Sequence, residues 1–202
     1  MVDENFSSGF KAILQVHGIG GLRPNTVLLG WTREEGSSGV FPKILALAKK
    51  MQRNLLVVRS ELDQENWIVP SGTINIWWND AKNSQLSLLM VFLLQQNPQW
   101  RDKSVRILRP VAPKADLDNI RAEMEEMLKL SRIEAEIILL PGNEPLASVR
   151  EKLYASAILF AGFDPEDDEK VIEEQQEELR KIMALPGEIV LVHNAGNVSP
   201  LD

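Results

Sequence analysis

Seven short runs of apolar and β-branched residues recur along the chain, and segments with helical periodicity separate most of them. The runs are apolar at nearly every position, which is typical of strands buried on both faces of a parallel sheet. The expected strands are 27–29, 55–58, 74–78, 105–108, 136–140, 157–161 and 188–192; the expected helices are 9–17, 41–52, 85–96, 117–130, 145–154 and 168–184. This alternation predicts a mostly parallel, doubly wound α/β fold with helices on both faces.

The alternation is interrupted once, between the second and third strands. No helix fits there, because residues 67–72 read Trp-Ile-Val-Pro-Ser-Gly and contain a turn. We expect these two strands to pair antiparallel or to be joined by a long loop, either of which makes the sheet mixed. The proline-rich residues 110–114 indicate either a boundary between two α/β subdomains, 1–110 and 111–202, or a simple strand-to-helix turn.

Composition excludes several classes of function. The 202 residues carry a net charge of −7, whereas proteins that bind nucleic acid or anionic lipid directly present clustered Lys and Arg. The chain has no cysteine, which excludes disulfides, thiolate catalysis and cysteine-ligated zinc. The N-terminus is acidic and lacks the pattern of a signal peptide. The longest apolar run, residues 88–94, is far shorter than the ~20 residues that span a bilayer.

No catalytic, cofactor-binding or metal-binding residues are predicted. The glycine-rich Gly18–Gly21 follows a helix, whereas a dinucleotide-binding loop follows a strand, so a helix C-cap is expected there. Asp63, Glu65 and Asp80 have no spacing that favours paired catalytic carboxylates. His193 follows the last strand, where α/β sheets place ligands, but a strand-end polar residue is the preferred interpretation.

Adjacent tryptophans mark the third strand, within the segment Gly72–Asn79 (GTINIWWN). Upstream lies Leu22–Trp31 (LRPNTVLLGW). Downstream come an apolar helix, a tryptophan beside charged residues, an arginine-containing strand, a KLSRI segment before a further strand, and a closing strand: 80–94, 99–103, 105–108, 129–133 and 186–194. In this order, the segments resemble the cytosolic C-terminal domain of the cation-chloride cotransporters, membrane proteins that move sodium or potassium together with chloride.

The resemblance implies a regulatory and dimerisation domain at the cytoplasmic face of the cell membrane, without catalytic activity or cofactor. It implies a homodimer as partner, together with a transmembrane transport domain that lies outside this chain. The family places a further strand–helix–strand unit before the part that matches residues 3–20, and we expect this chain to begin after that unit. The long polar insertion of larger family members is absent from the sequence, which is typical of a compact, prokaryotic version.

An alternative is a freestanding nucleotide-binding protein, since the alternation also resembles universal stress proteins at the level of architecture. That family binds ATP through a glycine-rich turn, whereas Pro141–Glu144 and Ala161–Asp164 each hold one glycine and nearby acid. We therefore expect no tight ATP binding.

Three further expectations concern packing. One of Trp77 and Trp78 should be more buried than the other, since neighbouring strand residues face opposite ways. The helix 85–95, apolar nearly all round, is either a core helix or partly covered by a second protomer. A dimer contact is expected near residues 141–154, away from the acidic face at 173–178, where like charges would meet across a two-fold axis.

Overall fold

A seven-stranded sheet forms the centre of the computed structural model, which describes residues 9–10, 12, 24–31, 40–60, 69–142, 146–153, 155–166 and 169–196. All seven predicted strands are confirmed. Their bounds are β1 (Thr26–Gly30), β2 (Asn54–Arg59), β3 (Thr73–Trp77), β4 (Val105–Val111), β5 (Ala135–Pro141), β6 (Ser156–Gly162) and β7 (Glu188–His193).

The helices that connect these strands follow the predicted periodicity closely. They are α1 (Val40–Lys50), α2 (Ala81–Gln95), α3 (Pro98–Arg101), α4 (Leu117–Ser131), a 3-10 helix (Leu146–Leu153) and α5 (Glu169–Met183). The short α3 was not predicted, although Asn97 accepts from the Gln99 amide and Pro98 occupies the first turn. Of the expected helix 9–17, Gly9, Phe10 and Ala12 are helical, and the remainder lies outside the described residues.

The order of strands across the sheet is β1-β2-β7-β6-β3-β4-β5. Every neighbouring pair is parallel except β2 and β7, which run antiparallel. The predicted fold class, mostly parallel and mixed, is therefore confirmed. A direct pairing of β2 with β3 is wrong, because the C-terminal strand β7 lies beside β2 and, with β6, separates it from β3.

Strands from the two predicted subdomains alternate within this one sheet. Strands β6 and β7, which belong to residues 111–202, lie between β2 and β3, which belong to residues 1–110. Any unfolding of one half would expose the edges of strands from the other half. The division of the chain at residue 110 stays a prediction, and a boundary there would have to cross a continuous hydrogen-bonded sheet.

Both faces of the sheet are covered, which explains the apolar strands. Helices α1 and α5 pack on one face and α2, α3 and α4 on the other, giving two separate hydrophobic clusters. Trp77 belongs to the first cluster and Trp78 to the second, so the two rings do point to opposite faces. Both are nevertheless buried, with 5% and 6% exposure, so the expectation of unequal burial is wrong.

None of the helices in the described part of the chain has both the length and the apolar character needed to cross a bilayer.

Candidate functional site

The candidate site lies at the carboxyl ends of the central strands, where the direction of winding reverses. From β3 the chain moves to β4 and β5 on one side, then returns to β6 and β7 on the other. Open α/β sheets bind their ligands in the crevice outside such a switch point, here between β3 and β6. The chain leaves β3 through Trp78, Asn79 and Asp80 directly into α2. The N-terminus of α2 therefore points at this crevice.

The first turn of α2 is capped by its own side chains. Asp80 has an extended backbone and its Oδ1 accepts from the Asn83 amide at 2.7 Å, which satisfies one of the free N–H groups at the helix start. The Asn83 side chain, only 1% exposed, donates from Nδ2 to Asp80 Oδ2 and to the Phe163 carbonyl oxygen, both at 3.2 Å. Asn83 thereby joins α2 to the end of β6.

The same asparagine also holds the end of β7. The Asn194 amide donates to Asn83 Oδ1 at 2.7 Å, and Asn194 Nδ2 donates to the Lys82 carbonyl oxygen at 2.9 Å. Gly162 completes the close approach, because a Cβ at this position would lie 2.8 Å from Asn83 Cβ and 2.9 Å from Asp80 Oδ2. We call Asp80, Asn83, Gly162 and Asn194 the polar plug.

The polar plug changes what the crevice can bind. A helix N-terminus attracts phosphate through free N–H groups and the helix dipole. Here the Asp80 carboxylate occupies that position and would repel a phosphate, and the Asn83 side chain is hydrogen-bonded to Phe163 after β6 and to Asn194 after β7. The geometry therefore disfavours a polyanionic ligand at the α2 N-terminus.

His193, at the end of β7, lies beside the plug. Its Nδ1 is 2.8 Å from Asp164 Oδ1, and its side chain is 4% exposed while that of Asp164 is 59% exposed. Burial lowers the pKa of His193 below its ordinary value; Asp164 opposes this shift, and the nearby charge of Lys82 adds to it. Solvent screens this contact on the side of the exposed Asp164, and the interpretation of His193 as a strand-end polar residue stays a prediction.

The lowered pKa of His193 predicts a pH-dependent stability. Because the unfolded chain binds the proton more readily, the stabilisation is present above about pH 6.5 and is lost as pH falls toward the folded-state pKa. Each unit by which the folded-state pKa lies below the unfolded-state pKa adds about 1.4 kcal/mol to the free energy of unfolding at neutral pH. We expect His193→Gln, which cannot take up a proton, to flatten the unfolding free energy between about pH 7 and 5. Urea unfolding at several pH values measures this; an unchanged slope in the variant would contradict it.

A second depression, an open cleft, lies on the other side of β3, toward β4 and α4. Its volume is about 360 Å³, and its lining includes Trp78 and Asp80 from the end of β3, Arg109 from β4, and Glu123, Met124 and Met127 from α4. Ile120, Met124 and Leu128 follow the helical period, so α4 packs this face on the sheet and leaves Glu123 exposed at the rim.

The charged side chains of this cleft differ in whether they already have hydrogen-bond partners. Both oxygens of Asp80 accept from Asn83, and Glu123 Oε1 accepts from Asn119 Nδ2 at 2.8 Å. By contrast, no other described residue makes a hydrogen bond or ion pair with the half-buried Arg109 guanidinium. Arg109 is thus the cation of the cleft that is available to a ligand.

Most of the remaining sequence-based candidates fall in parts of the chain that the structure does not describe. Asp63, Glu65 and Gly18–Gly21 lie outside the described residues. Within the described ranges, no three His, Asp or Glu side chains come together as metal ligands. Sequence reasoning missed Asn83 and Arg109. The signal for Asn83 was its place in the first turn of α2, three residues after the capping Asp80, and the signal for Arg109 was a charged residue near the end of an apolar strand.

Comparison with known proteins found no matching family model. Among curated proteins, the chain is 26% identical over 133 residues to potassium/chloride cotransporter 3 of Caenorhabditis elegans, covering 64% of this chain and 12% of that protein. It is 24% identical over 147 residues to cation-chloride cotransporter 1 of Arabidopsis thaliana, covering 69% of this chain and 15% of that protein. The chain thus spans about an eighth of the length of these relatives.

Among solved structures, a universal stress protein from Archaeoglobus fulgidus superposes with a TM-score of 0.52 at 18% identity, covering 83% of this chain and 60% of that one. The cytoplasmic domain of a prokaryotic cation chloride cotransporter superposes with a TM-score of 0.61 at 17% identity, covering 98% of this chain and 73% of that one. At these identities the superpositions establish the fold. The predicted resemblance is confirmed: the chain is similar in sequence to cation-chloride cotransporters and shares its fold with the cytoplasmic domain of a prokaryotic one.

Proposed function

We propose that this chain is the cytosolic regulatory and assembly domain of a cation-chloride cotransporter, located at the cytoplasmic face of the cell membrane. The observation that carries the proposal is the agreement of two independent comparisons. Sequence similarity points to potassium/chloride and cation-chloride cotransporters, and the fold over nearly the whole chain matches a cytoplasmic domain of that kind. Ion transport itself belongs to a membrane domain outside these residues.

The role we propose is binding rather than chemistry. The polar plug occupies the switch-point crevice where an α/β enzyme would hold its substrate. The crevice side chains are tied to each other and to backbone groups, which favours a rigid element that transmits force or position. A freestanding nucleotide-binding protein remains the alternative, supported by the fold likeness to a universal stress protein.

Reading the gene upstream of the first codon separates these two functions. A cotransporter gene encodes a series of hydrophobic segments, each about 20 residues long, in frame before the domain. We expect to find them. An upstream stop codon in the same frame, with no such segments, would contradict the cotransporter proposal and favour the freestanding protein.

The assembly part of the proposal requires a surface for a second copy of the chain, and α2 offers one. Phe92 and Leu93 are 41% and 53% exposed, and Leu89 beside them is half-buried. Lys82 is the one charged residue in α2. A two-fold interface brings a surface against its own copy, so the apolar C-terminal half of α2 suits it, whereas the acidic face of α5 does not. The earlier expectation of a contact near residues 141–154 stays a prediction, and part of that region lies outside the described residues.

Sedimentation across a concentration series tests this assembly. We expect reversible dimers as the concentration rises toward millimolar, the range that tethering beside a partner supplies. The double substitution Phe92→Glu and Leu93→Glu should abolish them, because four carboxylates would meet in an apolar contact. Leu117→Glu is the matched control, since Leu117 is 42% exposed on a different helix. A parent chain that stays monomeric at millimolar concentration would refute the dimer.

A further inference from the structure

We propose that the cleft between β3, β4 and α4 binds a free α-amino acid with an apolar or aromatic side chain. Its described lining includes one available cation, Arg109, two carboxylates, Asp80 and Glu123, and the apolar side chains of Trp78, Met124 and Met127. Its volume of about 360 Å³ lies within the range of small-molecule sites, about 300–1,000 Å³. This ligand site does not depend on the proposed assembly role, and the test below does not involve a dimer.

Arg109 provides the first contact, to a carboxylate. A guanidinium presents its N–H groups as a planar fork that matches the two oxygens of a carboxylate. Arg109 lies half-buried at the carboxyl end of β4, and no other described side chain or backbone oxygen engages it. No Arg109 nitrogen is among the buried polar atoms that lack a partner, so water reaches the guanidinium, and a carboxylate ligand would take the place of that water.

Glu123 provides the second contact, to an ammonium group. Asn119 donates to its Oε1, and no described residue donates to its other carboxylate oxygen, which is free to accept from a ligand. Asp80 adds negative charge to the same cleft while its oxygens stay engaged with Asn83. Two carboxylates and one arginine favour a zwitterion over a phosphate ester, because a polyanion would meet net negative charge.

The bed of the cleft determines the side chain of the ligand. Met127 is half-buried at its apolar wall, and behind it lie Trp78 and Met124, which are 6% and 2% exposed. A flexible thioether packs well against aromatic and aliphatic groups of different shape. An apolar side chain would bury surface here without leaving a polar group unpaired. An acidic side chain would lie near Asp80 and Glu123 and be repelled.

Calorimetric titration of the full chain with single compounds tests the proposal. L-Phenylalanine, L-leucine and L-methionine should bind, and L-aspartate should not. Phenethylamine lacks the carboxylate and 3-phenylpropionate lacks the ammonium group, so each should bind at least tenfold more weakly than L-phenylalanine. A tenfold loss corresponds to about 1.4 kcal/mol for one missing contact.

Variants assign the two contacts to their residues. Arg109→Gln should weaken L-phenylalanine at least tenfold without weakening phenethylamine, whereas Glu123→Gln should weaken L-phenylalanine without weakening 3-phenylpropionate. Arg101→Gln and Glu126→Gln are matched controls, since both residues are exposed and neither lines the cleft. These controls should bind like the parent.

Two results would overturn the proposal. One is the absence of saturable heat with all three apolar amino acids at millimolar concentration, with the parent folded by circular dichroism. The other is binding of AMP or ATP that is tighter than that of L-phenylalanine and lost in Arg109→Gln, which would make the cleft a nucleotide site.

Discussion

Replacing either Trp77 or Trp78 with alanine is expected to destabilise the protein by about 3–5 kcal/mol, the usual cost of removing a large buried aromatic side chain. Both rings are about 95% removed from solvent, since they are 5% and 6% exposed. They lie in different hydrophobic clusters, on opposite faces of β3. Each substitution therefore opens a cavity under a different layer of helices.

Urea unfolding of the two single variants measures this effect. Trp31→Ala is the control, because Trp31 is only partly buried and packs edge-on against Phe41 with ring centroids 5.2 Å apart. We expect the control to lose less stability than either central variant. A variant at position 77 or 78 that unfolds like the parent would mean that the corresponding face of the sheet is not covered.

The tryptophan pair illustrates which parts of the fold were predictable from sequence. Consecutive strand residues point to opposite faces, and that local rule was correct for Trp77 and Trp78. Their equal burial depends on whether helices cover both faces at that strand. The continuous apolar character of β6 and β7, all but one of whose residues are buried, already indicated two covered faces. If helices are expected on both faces at β3 as well, the prediction becomes that Trp77 and Trp78 are both buried, as the structure has them.

The pairing of strands was less accessible, because it depends on contacts between distant segments. Nothing local distinguishes β3 from β7 as a neighbour of β2, since all three are short apolar strands. The antiparallel pairing of Leu55 with His193 joins residues far apart in the chain. Sequence patterns with periods of 2 and 3.6 residues specify elements and faces, but they do not specify order across a sheet.

The candidate site divides in the same way between local and distant contacts. Asp80 before an apolar helix is a recognisable N-cap, and the structure has that cap. The contacts that turn it into a plug join Asn83 to Phe163 and Asn194, which are 80 and 111 residues away. From sequence, the acidic residue in Ala161–Asp164 predicted that this turn binds phosphate poorly. In the structure, the carboxylate that lies at the α2 N-terminus is that of Asp80.

The polar plug leads to the second large expected effect, that of Asn83→Asp. The substitution keeps the shape of the side chain but replaces its NH₂ group by a carboxylate oxygen. That oxygen would face Asp80 Oδ2 and the Phe163 carbonyl oxygen, each 3.2 Å from the present nitrogen, and all three are acceptors. A buried group left unsatisfied costs about 1–3 kcal/mol, and more when it is charged. We expect a loss of about 3 kcal/mol or more at pH 7.

The pH dependence of this variant identifies the cause of the loss. Repulsion and burial raise the folded-state pKa of the introduced carboxyl above the ordinary value of about 3.9 for aspartate. The folded chain then binds a proton more readily than the unfolded chain, so the difference in unfolding free energy from the parent should be largest at neutral pH. It should shrink as the pH falls below the raised pKa, because the protonated acid can donate to Phe163 again.

Asn97→Asp is the matched control for Asn83→Asp. Asn97 is exposed and caps α3, a role that aspartate fills equally well, so the stability of this variant should stay within about 0.5 kcal/mol of the parent. An Asn83→Asp variant as stable as this control at pH 7 would mean that Asn83 does not hold the ends of β6 and β7 against α2.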